Sequence, residues 1–480
     1  MKNVLEWLEA TVTKYSDKPA FSDIESSITF AQVYDIARNT GAYLIEKLGV
    51  DRTPVAVFAG RKMVTPAYFL GVVYAGRPYA PIDASLPDKR IEKILENLCP
   101  RAIVADRESL EHVESIVDEL AKSEGFDRPQ IFVAEDISRF EWIVGADGNC
   151  KISESTGGAV PGCEEETDDI AAENENDTDD GVVAGCVGKT DDSSLEKLAA
   201  VRRQMSMTDP LYIIYTSGST GNPKGVMTSH LSLMTYINAY CDVMHIEGDD
   251  VLGNQSPLDY IAAIRDIYLP LKTGCSTAII PKEYFMEPNA LFDYMNEKKV
   301  SSVGWSVSAF TILTSLGAFE ETELESLRKI CFSGSVMPCR VLRKWQENLP
   351  EAHFVNQYGP TEATASCTYY IVDHTVEEDE VLPIGQAYDN YRVFLIDEHG
   401  NEPAVGEQGE ICVCGPILAL GYYNDQKRTD AAFTLNPLNK AYPERMYRTG
   451  DYGRLDEDGI LHFCGRMDRQ IKHMGHRVEL

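Results

Sequence analysis

Nowhere does the sequence hold the ~20 consecutive apolar residues that a membrane-spanning helix requires, and Met1–Glu9 mixes acids into its apolar positions. That stretch reads as an amphipathic helix, not a signal peptide. Basic residues are scarce, with 44 Lys and Arg against 76 Asp and Glu, a net charge of −32. A field of that sign excludes holding nucleic acid or an anionic membrane through overall charge, and leaves room only for local basic pockets. The twelve cysteines contain no C-x-x-C pair. Reduced thiols in a cytosolic protein are expected, not a disulfide framework or a zinc site. Cys412 and Cys414 fall on one face of a predicted strand, which suits core packing. Internal repeats are absent, and so is the Walker loop G-x-x-x-x-G-K-[ST].

What is present is a globular composition: 480 residues, 44% hydrophobic and 25% charged, enough to bury a large core without metals or disulfides. Residues 1–146 alternate short apolar runs, such as Val55–Ala59, Ala102–Ala105 and Gln130–Ala134, with helical patterns such as Pro66–Tyr74. That alternation predicts a parallel α/β sheet. Residues 147–208 break it. Ten of the seventeen residues from Glu164 to Asp180 are acidic and none is basic. With few apolar groups to offset ordering entropy, this stretch is expected to be a flexible surface insertion, with helix returning over Leu195–Met205. Residues 209–390 resume the α/β pattern. Residues 391–464 turn to β, with Val393–Asp397 and Glu410–Gly415 as strands and turn signals at Gly400 and Gly459.

The sharpest local signal runs from Leu211 to Val226. An apolar strand, Leu211-Tyr212-Ile213-Ile214-Tyr215, feeds Thr216-Ser217-Gly218-Ser219-Thr220-Gly221 and then Lys224. Glycines let backbone N–H groups turn toward an anion, hydroxyls add donors and the lysine adds charge, so the pattern predicts a phosphate cradle. Further along stand Ala75-Gly76-Arg77-Pro78-Tyr79-Ala80-Pro81-Ile82-Asp83, Asn356-Gln357-Tyr358-Gly359-Pro360-Thr361-Glu362-Ala363-Thr364, Gly409-Glu410-Ile411 with Gly421-Tyr422-Tyr423-Asn424, Tyr447-Arg448-Thr449-Gly450-Asp451, and Gly465-Arg466-Met467-Asp468-Arg469-Gln470-Ile471-Lys472.

In this order the segments resemble the core motifs of adenylate-forming enzymes. That family includes nonribosomal peptide synthetase adenylation domains, D-alanine–carrier protein ligases, acyl-CoA synthetases and luciferases. The resemblance implies a large α/β core of two sheet-and-helix subdomains plus a β-rich subdomain. It also implies ATP and Mg²⁺ as cofactors. Thr216, Ser217, Gly218, Ser219, Thr220, Gly221 and Lys224 would cradle phosphates, with Gly334, Ser335 and Gly359 nearby. Tyr358 would stack on adenine beside Phe463, and Asp451 would accept from the ribose hydroxyls, a natural match of acceptor to vicinal donors. Arg466 would add a cation. Thr216, Lys224, Thr361 and Glu362 would serve catalysis, with Glu362 holding Mg²⁺ as hard oxygen ligands do.

The implied reaction is attack of a carboxylate on the α-phosphorus of ATP, giving acyl-AMP and pyrophosphate. A thiol then takes the acyl group, either on the phosphopantetheine arm of a carrier protein or on coenzyme A. The motif wording favours the carrier-linked type. An acyl-CoA synthetase and a nucleotide-binding non-enzyme are the alternatives.

Two departures stand out. The family's C-terminal lid would follow a hinge at Asp468, but the sequence, whose segment 465–480 carries the hinge motif, stops at Leu480. Impaired adenylation by this chain alone is the expectation. In amino-acid-activating members the fourth motif reads roughly F-D-x-S-x-x-[DE]-I-[YF], and its aspartate pairs with the substrate ammonium. Anchoring on Asp266-Ile267-Tyr268 puts Ile261 in the aspartate position. Asp259 lies two residues early and serves only if the backbone there is extended. The same alignment makes Ala262, Arg265, Trp305, Cys331, Ser333, Gln357, Ala365 and Ser366 pocket-lining. A substrate without a standard α-amino group is favoured, and Arg265 either receives a polar or anionic tail or pairs with a neighbouring acid.

Overall fold

The computed structural model describes residues 2–123, 125–138, 140–144, 150–154, 192–217, 222–466, 470–473 and 476–479. Three sheets meet in it. The first has seven strands in the order Gly421–Tyr422, Lys224–Ser229, Pro210–Thr216, Tyr79–Ile82, Val55–Phe58, Ala102–Ala105 and Gln130–Val133. The strands from Tyr79–Ile82 to Gln130–Val133 are parallel to one another and mostly buried on both faces, which is why they read as continuous apolar runs.

The second sheet has nine strands. Gln386–Ala387 and Thr368–Val372 lead into His353–Tyr358, Lys329–Ser333, Ser302–Ser306, Val251–Asn254 and Ser276–Ile279. Pro19–Ser22 and Ser27–Thr29 close it. Chain segments and sheets therefore do not coincide. The N-terminal strands Pro19–Ser22 and Ser27–Thr29 add to the second sheet, while Pro210–Thr216 and Lys224–Ser229 complete the first. The expected division at 146 and 209 separates stretches of sequence, not layers of the fold.

The stretch expected as an insertion up to 208 ends earlier. Asp192–Gln204 is a helix, and Leu198, Val201 and Met205 are buried in the main core. Its last turn is fixed by Arg202, whose Nη2 donates to Glu9 Oε2 at 2.8 Å. The acidic run from Glu164 to Asp180 lies outside the described residues.

The β-rich part is a five-stranded sheet built on the long strand Arg445–Leu455, which pairs with Gln408–Cys414, Phe433–Leu435 and Leu461–Arg466. Cys412 and Cys414 pack together with Ile396 and Met446, as their period-two spacing predicts. Gly385 bridges Leu461 of this sheet, and the chain leaving Cys414 sends Gly421–Tyr422 to pair with Lys224–Ser229 in the first sheet. No helix among the described residues is long and apolar enough to cross a membrane.

Candidate functional site

The strand–loop–strand at Thr216 and Lys224 is an antiparallel hairpin in which these two residues face each other. Both are buried, and the Thr216 hydroxyl has no hydrogen-bond partner. The sequence Gly218-Ser219-Thr220-Gly221 lies outside the described residues. Lys224 Nζ reaches Glu362 Oε1 at 2.5 Å and sits 4.9 Å from the centre of the Tyr422 ring. The Tyr422 hydroxyl donates to the same Glu362 oxygen at 2.7 Å. Glu362 occupies a single turn of 3-10 helix, Thr361–Ala363, at the end of the strand carrying Tyr358, and its backbone carbonyl accepts from Ala419 N at 2.9 Å. Two side chains on neighbouring strands of the first sheet, Lys224 and Tyr422, thus converge on a carboxylate carried just past the end of a second-sheet strand.

A second convergence lies beside it. The Tyr358 hydroxyl donates to Asp451 Oδ2 at 2.5 Å, and Arg466 Nη1 pairs with Asp451 Oδ1 at 2.5 Å. The Phe463 ring lies 6.1 Å from Tyr358 and tilted against it. Burial, reinforced by the Asp451 carboxylate, holds the Tyr358 hydroxyl well above the ordinary tyrosine range, so it stays a donor. The turn before Asp451 is fixed from below, because Glu410 accepts from Arg448 Nε at 2.8 Å and from Gly450 N at 3.0 Å. Gly359 has to be glycine for space: a Cβ there would stand 2.5 Å from Ser366 Cα. Gly334, with φ +98°, turns the chain into exposed Ser335 after the strand Lys329–Ser333.

The acyl side is built on the helix Ile264–Thr273, which faces the second sheet. Register-paired residues of parallel strands share a face, so Gly304, Cys331 and Val355 form one row and Ser306, Ser333 and Gln357 the next. Arg265 is buried against the first row. A Cβ on Gly304 would come within 2.3 Å of Arg265 Nε, so the guanidinium occupies the space a side chain would fill. Its Nε stands 3.6 Å from Asp266 Oδ1, and the Tyr240 ring centre is 6.0 Å from the guanidinium carbon. Asp266 Oδ2 accepts from Asn254 Nδ2 at 2.8 Å, and Asn254 Oδ1 in turn accepts from Arg61 Nη2 at 2.9 Å. Burial pushes the Asp266 carboxyl up to about 6, while Arg265 and Asn254 pull against it.

Two expectations need correction. Trp305 does not line this pocket. It is the neighbour of Gly304 on the strand, so it points to the opposite face, where it packs against Phe285, Phe310 and Trp345 and donates to Gly253 O at 2.8 Å. The condition placed on Asp259 also fails. Residues 258–260 form a turn and bend running into the 3-10 helix Ile261–Ala263, so a two-residue slip does not preserve a face. Asp259 instead borders a cavity of about 830 Å³ between the two large sheets, along with Asp83, Arg61 and Gln255. Burial and then the Asp83 carboxylate push its carboxyl up to about 6. Ile261 is buried in the core, and Ala262 stands beside it on the same 3-10 turn.

Gln357 and Ser366 are both buried and touch each other. Ser366 Oγ donates to Gln357 Oε1 at 3.3 Å, and Ala365 holds a left-handed φ of +74° next to Ser366. Sequence reasoning missed Tyr236, Tyr240, Tyr388, Tyr391, Gly304 and the contact role of Tyr422. The Tyr236-x-x-x-Tyr240 spacing was a usable signal, since i and i+4 share a helix face. Tyr388 and Tyr391 come from a loop and carried none.

With this geometry in hand, comparison with known proteins is decisive. The family described as AMP-binding enzyme matches residues 8–423. This chain belongs to the AMP-binding enzyme family. It is 29% identical over 479 residues to a D-alanine–D-alanyl carrier protein ligase of Bacillus cereus (strain ATCC 10987 / NRS 248), covering 99% of this chain and 81% of that protein. Among solved structures it is similar to holo-PA1221, described as a nonribosomal peptide synthetase protein containing adenylation and PCP domains. The TM-score is 0.73 at 24% identity, covering 100% of this chain and 70% of that one. It is also similar to the nonribosomal peptide synthetase FmoA3, with a TM-score of 0.74 at 22% identity. The alignment covers 97% of this chain but spans only 42% of FmoA3.

This AMP-binding enzyme is an adenylate-forming ligase, and the residues where the sheets meet suit a nucleotide. Among the described residues no group of three metal-ligating side chains exists. Glu362 is the single carboxylate at the Lys224 end, a donor set that fits Mg²⁺ held by one carboxylate and substrate phosphates rather than by a protein cage.

Proposed function

We propose that this chain activates a small carboxylic or amino acid as acyl-AMP, releasing pyrophosphate, and passes it to the phosphopantetheine thiol of a carrier protein, as in nonribosomal peptide synthesis. The observation that carries the reading is the meeting of Lys224, Glu362, Tyr358 and Asp451 at one junction, each from a different strand or turn. Tyr358 and Phe463 offer aromatic surface to a base. Asp451, once it exchanges one of its present donors, accepts from vicinal hydroxyls. Lys224 and the Thr216 hydroxyl face the phosphates. Mg²⁺ on Glu362 would neutralise charge on the phosphates. The carrier as acceptor is supported by the names of the Bacillus relative and of the PA1221 structure, and a cytoplasmic location by the cysteine usage and charge.

The test is pyrophosphate release from Mg²⁺–ATP by the full chain, run across a panel of carboxylic and amino acids, followed by acyl transfer to holo-carrier protein or to coenzyme A. Acid-dependent release and loading of the carrier are expected. Nucleotide binding with no acid-dependent release under any condition would overturn the reading, and loading of coenzyme A alone would replace the carrier by that thiol.

A further inference from the structure

The polar atoms around Arg265 are left without partners to a degree unusual for a protein interior, where nearly all buried donors and acceptors are paired. Among the described residues, Arg265 Nε, Gln357 Nε2, Tyr388 OH and Tyr391 OH are each buried with no hydrogen-bond partner. They do not lie scattered. The Tyr240 ring lies 6.0 Å from the Arg265 guanidinium and 5.9 Å from Tyr236, while Gln357 is register-paired with Tyr369, whose ring lies 4.8 Å from Tyr388, itself 5.7 Å from Tyr391. The set is rich in N–H and O–H donors, and its charge has a sign. Its cation is Arg265, which ends a relay in which Asn254 donates to Asp266 and accepts from Arg61.

A cation placed here would meet Arg265, and the pocket's one carboxylate is already engaged by Arg265 and Asn254. Asp259 faces Asp83 and the other cavity. A single anionic oxygen group would satisfy the guanidinium, the amide and the tyrosine hydroxyls together.

We propose that the acyl pocket selects a dicarboxylic acid without an α-ammonium group, one carboxylate being adenylated and the other received by Arg265, Gln357 and the Tyr236–Tyr388–Tyr391 hydroxyls. The inference rests on the adenylation reading and deepens it to a substrate class. The chemistry of the adenylated end is unchanged. The far carboxylate stays ionised, and no bond to it forms or breaks.

Binding of non-hydrolysable acyl-sulfamoyl adenosines to the full chain tests it by calorimetry. Succinyl, glutaryl and adipoyl conjugates are compared with methyl-ended acyl conjugates of equal length, with glutamyl and other α-aminoacyl conjugates, and with unacylated sulfamoyl adenosine. One of the dicarboxylic conjugates should bind about tenfold or more tighter than its methyl-ended and α-amino counterparts. Arg265→Gln should abolish that preference while unacylated sulfamoyl adenosine still binds, and Tyr388→Phe, which removes only a hydroxyl, should weaken it about threefold to tenfold. If Arg265→Gln fails to fold, Tyr388→Phe and Gln357→Leu carry the test. A preference for α-amino or methyl-ended conjugates overturns the inference and leaves adenylation standing. Failure of every adenosine compound to bind overturns both.

Discussion

The two halves of the site solve opposite problems. On the nucleotide side the charged groups already neutralise one another: Lys224 and Tyr422 share Glu362, and Tyr358 and Arg466 share Asp451. On the acyl side, one partial ion pair leaves an amide, two phenols and a guanidinium N–H unpartnered. The first half is a framework that keeps its shape without ligand. The second is shaped by its ligand's chemistry, because every unmatched donor is a cost that only a complementary group removes. Recognition of ATP can be generic across a family, while acid choice is where one chain departs from its relatives.

The strongest way to break this contrast is Glu362→Gln. It removes the charge that Lys224 and Tyr422 share and should slow acid-dependent pyrophosphate release on the order of a hundredfold, as loss of a charge-stabilising group typically does. An unchanged rate would mean that Glu362 is only a structural partner of Lys224. Next is Asp451→Asn, which leaves Arg466 without its counter-charge. ATP affinity should fall about tenfold by calorimetry, with a lower melting temperature. Equal affinity would place the ribose elsewhere.

Gly304→Ala separates the halves. The new Cβ would stand 2.3 Å from Arg265 Nε, so overpacking should cost about 1–3 kcal/mol in a denaturant titration. ATP binding should survive, and a parallel loss would show that the two halves are one cooperative unit.

The smallest effect concerns pH. Asp259 has a folded-state value of about 6, raised from 3.8, so the folded chain holds a proton that the unfolded chain has released. Its contribution is fully favourable below the unfolded value and fades as pH rises through about 6. Relative to Asp259→Asn, the natural protein should therefore lose on the order of 2 kcal/mol of stability between pH 4 and pH 6. A flat difference across that range would show that neither burial nor Asp83 raises its carboxyl.

Much of the nucleotide side was legible because its signals are local. A strand, a run of glycines and hydroxyls and a lysine stand within one short segment, and Tyr358 and Glu362 lie four residues apart across one strand end. The acyl pocket was read less well because its face depends on register. One residue separates Gly304, which contacts Arg265, from Trp305, which supports the opposite core. A one-residue error in a strand inverts the side chain's destination. The loop tyrosines Tyr388 and Tyr391 reach the pocket from far along the chain, and no periodicity announces them. The helix Asp192–Gln204 was half legible, since its apolar residues were visible but the segment before it masked where the core resumes.

The sequence by itself determined the α/β character and the order of the family motifs, and it set Ile261 where the family's fourth motif would carry an aspartate. Composition and short-range spacing suffice for these because each is a property of neighbours in the chain. Only the tertiary structure decided that the N-terminal strands complete the distant second sheet, that Tyr422 joins Lys224 on Glu362, and that Arg265, paired with Asp266, is buried near polar atoms that have no partner among the described residues. Those facts depend on which faces and ends are brought together across long stretches of chain. Burial then sets the value of each polar group, because a donor that water would satisfy at the surface must find its partner inside.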